Sequence, residues 1–203
     1  LSLYFIILYY YRKKERFYLY FSGMAFSFAL WAAGYVGIIF WIFDNRIAYL
    51  VAAYCGSVSI VICAIFFIHS FLDLRYNLFS KILLSLLLFL LIYCTTEIIT
   101  TGLVESYRMY LFKIFLLTCL IYMIYSAILC IYAIRIHRPH AGKILIGIGT
   151  AYFFIFLSIL TWLHIIDYTP SSIEPFMAMI FVFSLVLASR YAQVFSDLEK
   201  AHA

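Results

Sequence analysis

The chain has 203 residues, of which 67% are apolar and 11% charged, and its formal net charge is +5. An ordinary soluble domain carries about 25% charged residues, and a surface built from so little polar material does not stay dispersed in water. Composition therefore excludes a soluble globular domain and reads as an integral membrane protein. Aromatic residues reach 21%, with 19 Tyr and 21 Phe, in keeping with the settling of Tyr at both membrane interfaces.

A helical crossing of the hydrocarbon core takes about 20 apolar residues, and polar punctuation cuts the chain into seven stretches of that kind. The first, 1–11, is too short for a full span. It opens on Leu1 in mid-run, so the chain is expected to be an excised piece whose first span is truncated. The others are predicted at 18–43, 48–70, 82–100, 110–134, 144–166 and 176–188. Continuous apolar runs call for helices, since barrel strands alternate polar and apolar residues. The connections are short, so the spans are expected to pack as one bundle.

Orientation follows from Lys and Arg in the connections. Arg12, Lys13, Lys14, Arg16, Arg75, Lys81, Arg135, Arg138, Lys143, Arg190 and Lys200 fall on one side, and Arg46, Arg108 and Lys113 on the other. The basic side, with the loops "YRKKERF" and "RIHRPHAGK" and the C-terminus, is predicted to be cytoplasmic. An odd number of spans puts the N-terminus outside. Arg12, Lys13, Lys14, Arg16, Arg135, Arg138 and Lys143 are then expected to contact the anionic inner leaflet.

Ionisable groups at membrane depth are costly and draw attention first. Glu97, in "YCTTEIITTG", is the carboxylate placed deepest in a predicted span, either within the bilayer or at its outer edge beside a Thr-rich helix end. His164, in "LTWLHIID", faces the same alternative in the sixth span. Both fall on the outer side, which makes them candidates for a shared ligand site. His69 and Asp73 lie four apart on one helical face and are expected to make a helix-end hydrogen bond. His137 and His140 flank Pro139, a helix stop. Gly142, Gly147 and Gly149 suit close helix packing in the sixth span. Cys55, Cys63, Cys94, Cys119 and Cys130 lie in apolar runs without a CxxC pair, so they read as small hydrophobes.

Phosphate-binding glycine loops, HExxH and GxSxG are absent, as is the mid-span Lys of a retinal protein in the last span. No catalytic residue, cofactor, metal or nucleic-acid partner is expected. The last span runs into "ASRYAQVFSDLEKAHA" without an intervening Gly or Pro. Leu187, Tyr191, Val194, Leu198 and Ala201 repeat there at spacings of four and three, the rhythm of a two-stranded coiled coil. A single continuous helix leaving the membrane, and a homodimer through that seam, are predicted. A surface-lying amphipathic helix is the alternative.

At this point the chain resembles the bacterial seven-transmembrane receptors with diverse intracellular signalling modules (7TMR-DISM). The resemblance rests on "YYYRKKERFYLYFSGMAFSFALW", "FFIHSFLDLRYNLFSKIL", "RIHRPHAGKILIGIGTAYFFIFLSILTWLHIIDYTP" and "FVFSLVLASRYAQVFSDLEKAHA", taken in that order. It implies an outer sensor domain before the first span and, after the last, a histidine kinase, diguanylate or nucleotide cyclase, or phosphatase in the bacterial inner membrane. The expected fold is thus an all-α, integral membrane seven-helix bundle with its first helix truncated. Residues 1–189 would form the seven-transmembrane domain, and 190–203 the start of a cytoplasmic coiled-coil-like signalling helix. The expected function is relay of an extracytoplasmic signal to an output enzyme, with no enzyme in this segment. A small transporter fragment using Glu97 and His164, and a passive membrane anchor, are the competing readings.

Overall fold

The computed structural model describes residues 1–35, 38–43, 46–101, 105–138, 140–162 and 174–202. All of its regular structure in those residues is helical: α1 Ser2–Tyr11, α2 Phe17–Tyr35, α3 Ile38–Phe43, α4 Arg46–Phe71, α5 Leu78–Thr101, α6 Glu105–Arg135, α7 Ala141–Trp162 and α8 Glu174–His202. Among the described residues, four helical segments are long and apolar enough to cross a membrane, namely Phe17–Gly34, Leu50–Phe71, Leu78–Thr100 and Leu117–Arg135. The predicted stretches 48–70, 82–100 and 110–134 each fall inside one helix, whereas 18–43 is divided between α2 and α3. By its contacts the chain forms two compact units, Leu1–Tyr122 and Met123–Ala203.

In the first unit α2 and α4 pack antiparallel at very short range. The hydrophobic effect drives little association inside a bilayer, so close backbone approach through small residues and well-placed hydroxyls must hold the helices together. Gly34 and Gly56 supply that approach. A methyl group at Gly56 would sit 2.6 Å from the Trp31 backbone nitrogen, and one at Gly34 would sit 2.9 Å from the Ala53 nitrogen. Farther along the seam large rings take over, with Phe21 against Phe67 at 5.8 Å and Phe17 against Phe71 at 5.2 Å. Tyr18, Phe21, Met24, Ile60, Ile65 and Phe67 are among its fully buried side chains.

Helix α1 joins α2 through a reciprocal serine pair. Ser2 donates to the Ser22 carbonyl at 3.0 Å, Ser22 donates to the Ser2 carbonyl at 2.9 Å, and the two hydroxyls stand 2.9 Å apart. Phe5 packs below them on the Phe21 ring at 4.6 Å. Hydroxyls that satisfy one another across helices in this way avoid the cost of an unpaired polar group in hydrocarbon. Helix α5 runs antiparallel to α4, with Leu50 and Ile98 buried together and the Cys55 sulfur 3.2 Å from the Thr95 hydroxyl.

The helix ends explain where the chain turns. Asp73 has φ 51° and the Leu74 amide bonds back to the His69 carbonyl at 2.9 Å; this six-to-one bond around a left-handed residue is a Schellman stop. Asn77 then caps α5, its side-chain oxygen accepting the Ser80 amide at 2.8 Å, as an N-cap residue does for the third helical amide. Helix α6 stops in the same manner as α4. His137 has φ 55°, its amide reaches the Ile134 carbonyl at 3.0 Å and the Arg138 amide reaches that of Ala133 at 2.9 Å.

In the second unit α7 is tied to α6 by Tyr152 and Ser126. The Tyr152 and Ser126 hydroxyls lie 2.7 Å and 2.9 Å from the Met123 carbonyl and next to each other, so their two protons are shared among these three contacts. Against α8, Gly147 makes room for Val182, whose Cγ1 would be 2.7 Å from a methyl group there. Gly142 and Gly149 face nothing within 4 Å, so only one of the three glycines serves close packing between described residues. Nearer the start of α7 the Lys143 ammonium donates to the Ser189 hydroxyl at 3.2 Å.

Candidate functional site

Polar chemistry in this chain is sparse enough to follow residue by residue. Glu97 lies on α5, half-buried, one turn from the end of that helix. Its neighbours Thr95 and Thr96 return their hydroxyls to the Leu91 and Ile92 carbonyls at 2.6 and 2.9 Å. His164, proposed from sequence as its counterpart, falls outside the described residues.

The basic residues singled out from the sequence lie in the α1–α2 and α6–α7 connections or at the helix ends beside them. Arg12 ends α1 and pairs with Glu15 at 3.5 Å, while the Lys13 ammonium lies 5.4 Å from the centre of the Tyr10 ring. Lys14 and Arg16 are exposed. In the second unit Arg135 and Lys143 are exposed and Arg138 is half-buried. Flexible cations at helix ends beside aromatic rings are the arrangement that reaches lipid phosphates while the rings stay at the interface.

Beside the first basic loop is a cluster that sequence reasoning resolved only in part. His69 is buried at 1% exposure, with its Nδ1 3.4 Å from the Leu74 carbonyl. A carbonyl only accepts, so that nitrogen is a donor wherever the two hydrogen-bond. The imidazole stacks on Tyr76 at 4.5 Å, and Phe66 bridges Tyr76 and Tyr20 with ring separations of 6.0 and 5.2 Å. Burial, reinforced by Tyr20 and opposed by the Arg16 guanidinium, pushes the Tyr76 phenol up to about 12. The sequence placed His69 and Asp73 on one helical face, whereas α4 ends at Phe71 and Asp73 lies in the turn beyond it; the stacking on Tyr76 depends on how that turn folds back and leaves no periodic trace.

Of the seam on the last helix, Leu187 is buried within its own unit at 2% exposure and Tyr191 is half-buried. Val194 and Leu198 lie on the same helix, with side chains outside the described set. Among the described residues no group of three or more His, Cys, Asp or Glu is placed to hold a metal.

Nothing among these side chains forms a nucleophile and base pair. What the arrangement offers is a set of closely packed antiparallel helices with sharply capped turns and a long last helix. No curated protein and no solved structure matches the chain. The family described as 7TM diverse intracellular signalling matches residues 1–190, nearly all of the chain and all eight helices up to the middle of α8. The domain that defines this family is sensory and non-catalytic. This chain is an integral membrane protein and belongs to the 7TM diverse intracellular signalling family.

Proposed function

We propose that the chain is the membrane-embedded relay of a sensory receptor, passing an extracytoplasmic signal to a cytoplasmic output domain of the histidine kinase, cyclase or phosphatase kind. In this reading seven spans cross a bacterial inner membrane, the basic loops face the cytoplasm, and Glu97 and His164 lie on the outer side. The observation that supports it most is α8. It is one unbroken helix from Glu174 to His202, while the family match stops at residue 190. The last helix thus carries on past the region the family matches as a polar rod with apolar positions at Leu187, Tyr191, Val194 and Leu198.

Two packings of the helices that differ by a few kcal/mol would suffice for switching, provided the stimulus binds one better than the other. Gly147, with Val182 pressed against it, couples α7 to α8 within the second unit, so a shift of α7 displaces the rod. A homodimer through the seam would present that displacement to paired output domains. Arg135, Arg138 and Lys143 would keep the inner face at the anionic leaflet during the movement.

The test is an exchange of residues 1–189 for an unrelated helical bundle, with the rod kept in register. Loss of stimulus-dependent control with retained basal output is expected. Control that survives the exchange would reduce the bundle to an anchor.

A further inference from the structure

The seam between α4 and α5 contains a groove of about 370 Å³, lined by Cys55, Ser59, Leu91, Ile92, Thr95 and Thr96. It lies within the spanning segments Leu50–Phe71 and Leu78–Thr100. Ile92 is 66% exposed, so the groove opens on the surface of its unit and away from that unit's core.

Its polar groups differ in how they are satisfied. Serine and threonine in helices ordinarily turn their hydroxyls back to a carbonyl one turn earlier. Ser57, Thr95 and Thr96 all do so here, to Tyr54, Leu91 and Ile92. Ser59 does not. Near the middle of its span, its hydroxyl faces the groove without a hydrogen-bond partner among the described residues. An open hydroxyl at that depth is unfavourable, because no water reaches it. Cys55, one turn away on the same helix, shares its sulfur with the Thr95 hydroxyl, so the wall beside Ser59 is weakly polar and uncharged.

We propose that this groove is a binding site for a small, neutral, membrane-soluble amphiphile, an alcohol or ester of medium chain length whose oxygen hydrogen-bonds Ser59. Four properties of the groove select this class. Its depth demands a ligand that partitions into hydrocarbon, and its uncharged lining disfavours an ionised head. The open Ser59 hydroxyl asks for an oxygen, and the volume holds about a dozen groups the size of a water molecule. The site belongs to α4 and α5 alone, so it stands or falls separately from the relay proposed above.

The experiment is photolabelling of the full chain in liposomes with a medium-chain alcohol carrying a diazirine, with adducts mapped by mass spectrometry. Adducts are expected to concentrate on the peptides bearing Cys55, Ser59 and Ile92, and unlabelled alcohol should compete them away. Ser59→Leu, which fills the groove, should reduce that labelling several-fold while leaving adducts at the exposed Ile82 and Phe89 unchanged. Ser59→Ala preserves the shape and should abolish the preference for the alcohol over an alkane diazirine of equal length, which keeps the test informative if the leucine variant does not fold. Even labelling across all lipid-facing positions would overturn the proposal. So would labelling by a photoreactive phospholipid tail that the alcohol cannot displace, or full protection of the groove by another helix or a second copy.

Discussion

Asp73 and His137 hold the left-handed conformation that ends α4 and α6, a place where helices usually put glycine because a side chain there costs about 1–2 kcal/mol. His137 is exposed, so His137→Gly is expected to stabilise the second unit by about 1 kcal/mol, readable as a rise in the thermal midpoint of the purified protein. A drop would mean that the imidazole contributes more than its backbone strain costs. The Tyr76 phenol gives a second handle. Raised to about 12 in the fold from about 10 in an unfolded chain, it favours the folded state fully below pH 10 and loses that contribution as pH climbs toward 12. Tyr76→Phe should flatten the decline of stability over this alkaline window, with no change near neutrality. At this scale the sequence was legible where chemistry is local. His69 and Asp73 at four-residue spacing marked a helix end, and Pro139 beside His137 marked another. Ser59 was not legible, because a serine inside an apolar run gains meaning only when its neighbours' hydroxyls prove to be occupied and its own does not.

Among helices, the distinction that matters is between glycines that face a backbone and those that face open space. Gly56 lies so near Trp31 that even alanine forces α2 and α4 apart. Gly56→Ala is expected to destabilise the first unit by about 1–3 kcal/mol, the usual range for overpacking. Gly149, with nothing within 4 Å, should tolerate alanine and gain up to about 1 kcal/mol from better helix propensity. Thermal unfolding of the two variants in the same detergent compares them directly. Hydropathy located most of the helices, since length and apolar content are all that a span requires. The stretch 18–43 maps onto α2 and α3, and residues 36 and 37 between them lie outside the described residues. The three glycines of α7 looked alike in sequence, and only the position of Val182 singles out Gly147.

For the molecule as a whole, the issue is whether it carries information, cargo or neither. Glu97 separates the first two. Glu97→Gln removes the charge and keeps the shape, so a transporter that uses the carboxylate would lose coupled uptake. In the relay reading regulated output should stay within about twofold, since a half-buried carboxylate near the end of α5 contributes little to the packing of the helices. Membrane character was readable from composition and the helical fold from the continuous apolar runs, because the bilayer admits few backbone solutions. The stimulus was not readable, since an apolar interior without paired charges leaves no signature for it.

The central claim is that α8 works as a rigid rod whose rotational phase is read downstream. Three residues inserted after Ala192 turn everything beyond by about 300°, whereas seven return it to within about 20° of its original face. The activity of the output domain, measured with and without stimulus in membranes carrying each insertion, tests the claim most directly. Scrambled or locked output is expected for the three-residue insertion and restored regulation for the seven-residue one. Normal regulation in both would contradict the rod.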